Sequence, residues 1–126
     1  QHFNVFPHKS VLENITLAPI LVKKMPKDEA EAMAMELLAK VGLESKAQEY
    51  PKRLSGGQKR RAALLRALLC RDAKTLLLDE PFTGMDAELV EDAVAATKRL
   101  AGERPTILVT HDRTAADLLG WPVREV

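Results

Sequence analysis

The chain has 126 residues, 46% of them hydrophobic and 29% charged, with a formal net charge of +1. That length supports one domain with an apolar core and hardly two, and the balanced charge gives no general pull toward nucleic acid or an anionic membrane. No apolar run approaches the roughly 20 residues of a spanning helix, and the single cysteine, Cys70, allows no internal disulfide, so the composition reads as cytosolic.

The opening Gln1-His2-Phe3-Asn4 has neither the basic start nor the apolar stretch of a signal peptide. It also has no initiator Met and reads as the interior of a longer sequence. Ser10 followed by Glu13 predicts a capping box, with Val11, Leu12, Ile15 and Ala18 on one helical face and Pro19 interrupting or ending the helix. A second helix is expected between Pro26, with Asp28, Glu29 and Glu31 near its start, and Gly42 at its stop. Ala30, Met33, Leu37, Leu38 and Val41 recur on its apolar face. A loop around Tyr50 and Pro51 leads to Leu54-Ser55-Gly56-Gly57-Gln58, and a third helix runs to about Cys70. From Ala62 to Leu69 that helix is apolar nearly all round except Arg66, which predicts deep burial.

Beyond Cys70 strands alternate with helices. Thr75 to Leu78 is a short apolar run, expected as a strand covered on both faces. Asp86 can cap a helix that turns Leu89, Val90, Ala93, Val94, Thr97 and Leu100 inward. Thr106 to Val109 reads as a second strand and Thr114 to Leu119 as a helix. Val123 to Val126 is a candidate last strand, with Trp121 and Pro122 anchoring the turn before it. The fold class is α/β with a parallel sheet.

Met25, Met33 and Met35 are expected as core filler and Cys70 as a buried small hydrophobe. His2 and His8 have no metal-ligand partner set. Lys52, Arg53, Lys59, Arg60 and Arg61 read as a solvated or phosphate-proximal face rather than a nucleic-acid footprint.

Ligands of open parallel sheets bind beyond the carboxyl ends of the strands. Here the two strands end in Asp79-Glu80 and Thr110-His111, delivering two acids and an imidazole to one edge. Asp79 suits a role in fixing Mg²⁺, and Glu80 suits acceptance of a proton from an attacking water. At Ser55-Gly56-Gly57 two glycines open a helix, where backbone N–H groups and the helix dipole favour an anion.

These motifs together resemble the ATPase subunits of ABC transporters. Leu54-Ser55-Gly56-Gly57-Gln58 resembles their signature motif and Thr75 to Glu80 their Walker B strand. Gly84-Met85-Asp86 resembles the D-loop, His111 the switch histidine and Gln1 the Q-loop glutamine. Gln1 to Lys9, with Val11 to Asn14 and Leu17 to Pro19, resembles the polar amino-acid uptake branch. Two stretches depart from it: Lys59-Arg60-Arg61 replaces a Gln-rich segment, and Pro81-Phe82-Thr83-Gly84-Met85-Asp86 replaces the commoner Pro-Thr-Ser-Ala-Leu-Asp.

The resemblance implies a partial P-loop NTPase fold. Residues 1–126 would form an incomplete ATPase domain, with a helical subdomain over about 1–70 and a parallel-sheet Walker B half over about 71–126. It implies ATP and Mg²⁺ as ligands and a head-to-tail dimer with a second ATPase domain. Ser55, Gly56 and Gly57 would bind ATP across that dimer, Gln58 would support the loop, and Asp86 would lie at the interface. Asp79 and Gln1 would serve Mg²⁺ and the attacking water, Glu80 would be the general base, and His111 would touch the γ-phosphate. Transmembrane permease subunits would be partners, with a solute-binding protein acting indirectly, at the cytoplasmic face of the membrane.

Nothing in the chain matches G-x-x-x-x-G-K-[ST]. The expectation is therefore that these 126 residues alone bind ATP very weakly and hydrolyse none. Two other readings stand beside the importer subunit: a non-catalytic module docking on a full ATPase or permease, and a soluble ATPase of the same type acting on nucleic acid. The absence of paired ATPase domains or long coiled coils speaks against the last, and no nucleic-acid partner is expected.

Overall fold

The first helix, α1 (Val11–Leu21), begins where the sequence predicts. Ser10 Oγ accepts from Glu13 N at 3.1 Å and Glu13 Oε1 accepts from Ser10 N at 2.8 Å, so two donors of the helix start are satisfied reciprocally. Pro19 lies inside α1 and is buried, and the helix continues past it to Leu21. These observations come from a computed structural model that describes residues 5–70 and 73–125. Gln1 and His2 lie outside the described residues.

Helix α2 (Lys27–Lys40) has Asp28 and Glu29 in its first turn and Lys40 in its last, matching the helix dipole at both ends. Gly42, at φ 73°, ends it: Leu43 N reaches back to Leu38 O at 2.8 Å. A side chain there would also collide, since a Cβ would stand 2.8 Å from Leu89 Cδ1. Two short 3₁₀ turns, Glu44–Lys46 and Pro51–Arg53, then lead into α3 (Gly56–Leu69).

The remaining elements are β1 (Leu76–Asp79), α4 (Ala87–Ala101), β2 (Thr106–Val109) and α5 (Arg113–Leu119). The strands are parallel, with Leu76 opposite Thr106 and Asp79 opposite Val109, and α4 makes the crossover. β1 starts one residue later than expected, at Leu76, and extends to Asp79. Helices α1, α2 and α3 pack on one another, and α4 touches α2, α3 and α5. One core thus runs from Val11 and Ile15 through Leu37, Leu65 and Leu68 to Leu76, Phe82, Ala93 and Ala115.

A single side chain ties the far ends of several elements. The guanidinium of Arg104 donates to Leu68 O at 2.8 Å, Leu100 O at 2.9 Å and Cys70 O at 3.0 Å, with Ala73 O and Ala101 O each at 3.3 Å. Carbonyls that α3 and α4 leave without intrahelical donors are satisfied by this fork.

Several sequence expectations are corrected. The strands are covered on one face only: Leu76 and Leu78 are buried, whereas Leu77 is 74% exposed and Ile107 60% exposed. Helix α3 packs on β1, and the face that carries Leu77, Ile107 and Val109 is exposed. Val123 to Glu125 form no strand; Val126 lies outside the described residues, and Arg113 pairs with Glu125 at 2.7 Å. Met35 is exposed rather than core filler, and Cys70 is only half-buried at the C-cap of α3. Arg61 is buried rather than solvated, because it lies on the face of α3 that enters the core, and burial lowers its pKa.

Candidate functional site

The carboxyl ends of both strands converge as the alternating pattern predicts. Glu80 N donates to Val109 O at 2.8 Å, which carries the strand pairing one residue past β1 and sets Glu80 beside the end of β2. Its carboxylate is then held from three directions. His111 N donates to Oε1 at 2.9 Å, Thr110 Oγ1 donates to Oε2 at 3.4 Å, and Thr83 Oγ1 donates to Oε2 at 3.3 Å. The His111 imidazole is 96% exposed, with Nε2 3.6 Å from Oε1, so an ion pair forms there only when the ring is protonated.

Glu80 sits at φ 47°, in the left-handed region that few residues other than glycine occupy. Such a conformation costs on the order of 1–3 kcal/mol and persists where surrounding structure dictates it. The surroundings here are the pairing to Val109 O on one side and the buried Pro81 and Phe82 on the other.

Asp79 ends β1 and is exposed, next to Glu80 in sequence. No cluster of three or more His, Cys, Asp or Glu that could hold a metal ion occurs among the described residues. Mg²⁺ commonly takes one or two carboxylates and completes its shell with substrate phosphates and water. An exposed Asp79 carboxylate fits that mode.

The start of α3 forms a second chemical element. Ser55 is its N-cap: its Oγ accepts from Gln58 N at 3.1 Å, and Gln58 Oε1 accepts from Ser55 N at 2.9 Å. The Ser55 hydroxyl keeps its proton for an external acceptor, and Ser55 and Gly56 are exposed. Gly56 and Gly57 supply amides of the first turn, which have no intrahelical acceptors and face the positive end of the helix dipole. A Cβ at Gly57 would stand 3.2 Å from Thr83 O, so the helix start lies against the turn that follows Glu80.

Asp86 caps α4, its Oδ1 accepting from Leu89 N at 2.9 Å, and remains exposed. The structure thus brings Glu80 together with Thr110 and His111, and places Gly57 against the same turn. Gln1 falls outside the described residues. Sequence reading overlooked the hydroxyl of Thr83; its signal was a Thr three residues beyond an acid, a spacing at which a turn folds the hydroxyl back. A shallow cleft of about 540 Å³, lined by Ala73, Lys74, Arg104 and Pro105 among others, opens at the amino-terminal ends of the strands, away from this edge.

A family model described as "ABC transporter" matches residues 1–83. The chain is 50% identical over 117 residues to the L-cystine transport system ATP-binding protein TcyN of Escherichia coli, covering 92% of this chain and 46% of that protein. It is 48% identical over 113 residues to the general L-amino acid transport ATP-binding protein AapP of Rhizobium johnstonii, covering 89% of this chain and 44% of the relative. Among solved structures it resembles the ATP-binding cassette MJ0796, in a dimeric post-hydrolysis state bound to ADP and Pi. That match has a TM-score of 0.69 and 34% identity, and covers 94% of this chain and 53% of that one. The chain spans about half the length of the curated relatives it matches.

Proposed function

This chain belongs to the ABC transporter family, and from that premise we propose that it is the signature and catalytic-carboxylate part of an ATPase subunit powering amino-acid import. The observation that carries the reading is the tethered carboxylate of Glu80 at the sheet edge, with the imidazole of His111 beside it. In the complete protein Glu80 takes a proton from water; the water oxygen bonds to the γ-phosphorus of ATP, and the bond to the β-phosphate oxygen breaks to leave ADP and phosphate. His111 serves as a polar contact to the γ-phosphate. Asp79, with Gln1, would hold Mg²⁺, which supplies neutralisation of phosphate charge when bound.

Ser55, Gly56 and Gly57 serve ATP held by a second ATPase domain in a head-to-tail dimer, with Gln58 supporting the loop and Asp86 at the interface. The capped and exposed start of α3 supports this role, as does the dimeric state of the similar cassette. The names of the relatives support amino acids as the transported class; permease subunits as partners and the cytoplasmic face of the membrane as the location follow from the reading as an importer subunit. No helix among the described residues is long and apolar enough to cross a membrane. We take residues 1–126 as one incomplete ATPase domain, its helical and sheet regions meeting near residue 70.

The test is ATP turnover by the complete protein that contains these residues, against the 126-residue chain alone. The complete protein is expected to hydrolyse ATP and E80Q to lose turnover by about a thousandfold or more, with none from the isolated chain. Full activity in E80Q would overturn the assignment of the base.

A further inference from the structure

Two of the three tethers on the Glu80 carboxylate come from the end of β2, and the third comes from its own turn. Thr110 Oγ1 accepts from Asp112 N at 2.9 Å, which leaves its proton directed at Glu80 Oε2. Thr83 reaches the same oxygen at 3.3 Å from the turn after Glu80, although its side chain is exposed and adds nothing to the core. The turn that carries it is firmly seated: Thr83 N closes toward Glu80 O at 3.5 Å, Phe82 is 2% exposed, and Gly57 lets α3 approach the Thr83 carbonyl. An exposed threonine on a fixed turn, its hydroxyl spent on a carboxylate in a strained backbone position, has no evident use in stability.

We propose that Thr83 is a positioning residue for Glu80. Its hydroxyl and that of Thr110 bracket Oε2, while the His111 amide holds Oε1, so the plane of the carboxylate is fixed before water arrives. Without Thr83 the side chain keeps its tethers to the end of β2 and gains freedom to rotate about them, and fewer encounters with the attacking water are productive. Nucleotide binding is untouched, since Thr83 acts through Glu80 alone. The proposal rests on the reading of Glu80 as the base.

The experiment is steady-state ATP hydrolysis by the complete protein with T83V, which removes the hydroxyl and keeps the shape, and T83S, which keeps the hydroxyl. T83V is expected to lower kcat about tenfold while KM stays within about twofold, and T83S to restore kcat. Melting temperature should be the same in all three, because the residue is exposed. E80Q run beside them separates the two ideas. Inactive E80Q with T83V at wild-type kcat would overturn the positioning role alone; active E80Q would overturn both. A T83S variant as slow as T83V would also sink the proposal, because the hydroxyl would then not be the operative group.

Discussion

Asn14 and Phe6 bond in both directions: Phe6 N donates to Asn14 Oδ1 at 2.7 Å, and Asn14 Nδ2 donates to Phe6 O at 3.1 Å. Nδ2 also reaches Lys9 O at 3.1 Å and Ser10 O at 2.9 Å, and the side chain is buried at 1% exposure. One amide therefore folds the segment before α1 onto the first turn of that helix. Phe6 is fixed further by Arg66, whose guanidinium lies 4.4 Å from its ring centroid.

Replacing Asn14 by Ala should therefore cost about 2 kcal/mol, measured from the urea midpoint at unchanged slope. N14D should be at least as damaging, because a carboxylate cannot donate to the three carbonyls that Nδ2 serves. An N14D protein as stable as wild type would contradict this account of the segment.

R104K keeps a positive charge and loses the planar fork. A lysine cannot span carbonyls of Leu68, Cys70 and Leu100 at once, so a loss of about 2 kcal/mol is expected. A change under about half a kcal/mol would show that the fork adds little beyond its charge.

The two glycines at the start of α3 should behave differently. G57A forces a Cβ to 3.2 Å from Thr83 O and should destabilise by about 1 kcal/mol. G56A meets nothing within 4 Å and should be neutral or stabilising by about half a kcal/mol. Thermal melts of the pair check it, and equal effects would remove the close approach as the cause.

Glu13 gives α1 a pH-sensitive start. The Ser10 amide that donates to its carboxylate holds the group below its ordinary value of 4.5. A carboxyl lowered in the folded state contributes stability above the unfolded value and loses it as pH falls through the folded one. Hydrogen-exchange protection of the Ser10 amide should accordingly drop as pH falls below about 4.5. E13Q keeps the acceptor and should show a flat profile over that window. Equal pH dependence in both proteins would refute the link.

Features written in short stretches of sequence were legible. The Ser10–Glu13 box, the Gly42 stop, the Asp86 cap and the acids ending β1 each depend on a few adjacent residues and were anticipated. What escaped depends on distance or on neighbours. Arg104 satisfies carbonyls more than 30 residues away, a relation that no local pattern carries. Leu77 reads as a core residue by composition, yet its exposure depends on what lies over the sheet. Thr83 falls where the sequence departs from a commoner motif, and only the turn brings its hydroxyl back to Glu80.

The left-handed backbone at Glu80 sets local comfort against chemistry. At φ 47° glycine or asparagine would be the relaxed choice, and either would remove the carboxylate. A library randomised at this position and selected only for folding should drift toward Gly and Asn, whereas selection for ATP turnover should hold Glu. The same asymmetry would mark gene copies released from the proposed function: position 80 is where relaxed selection should show itself early, as a gain in stability.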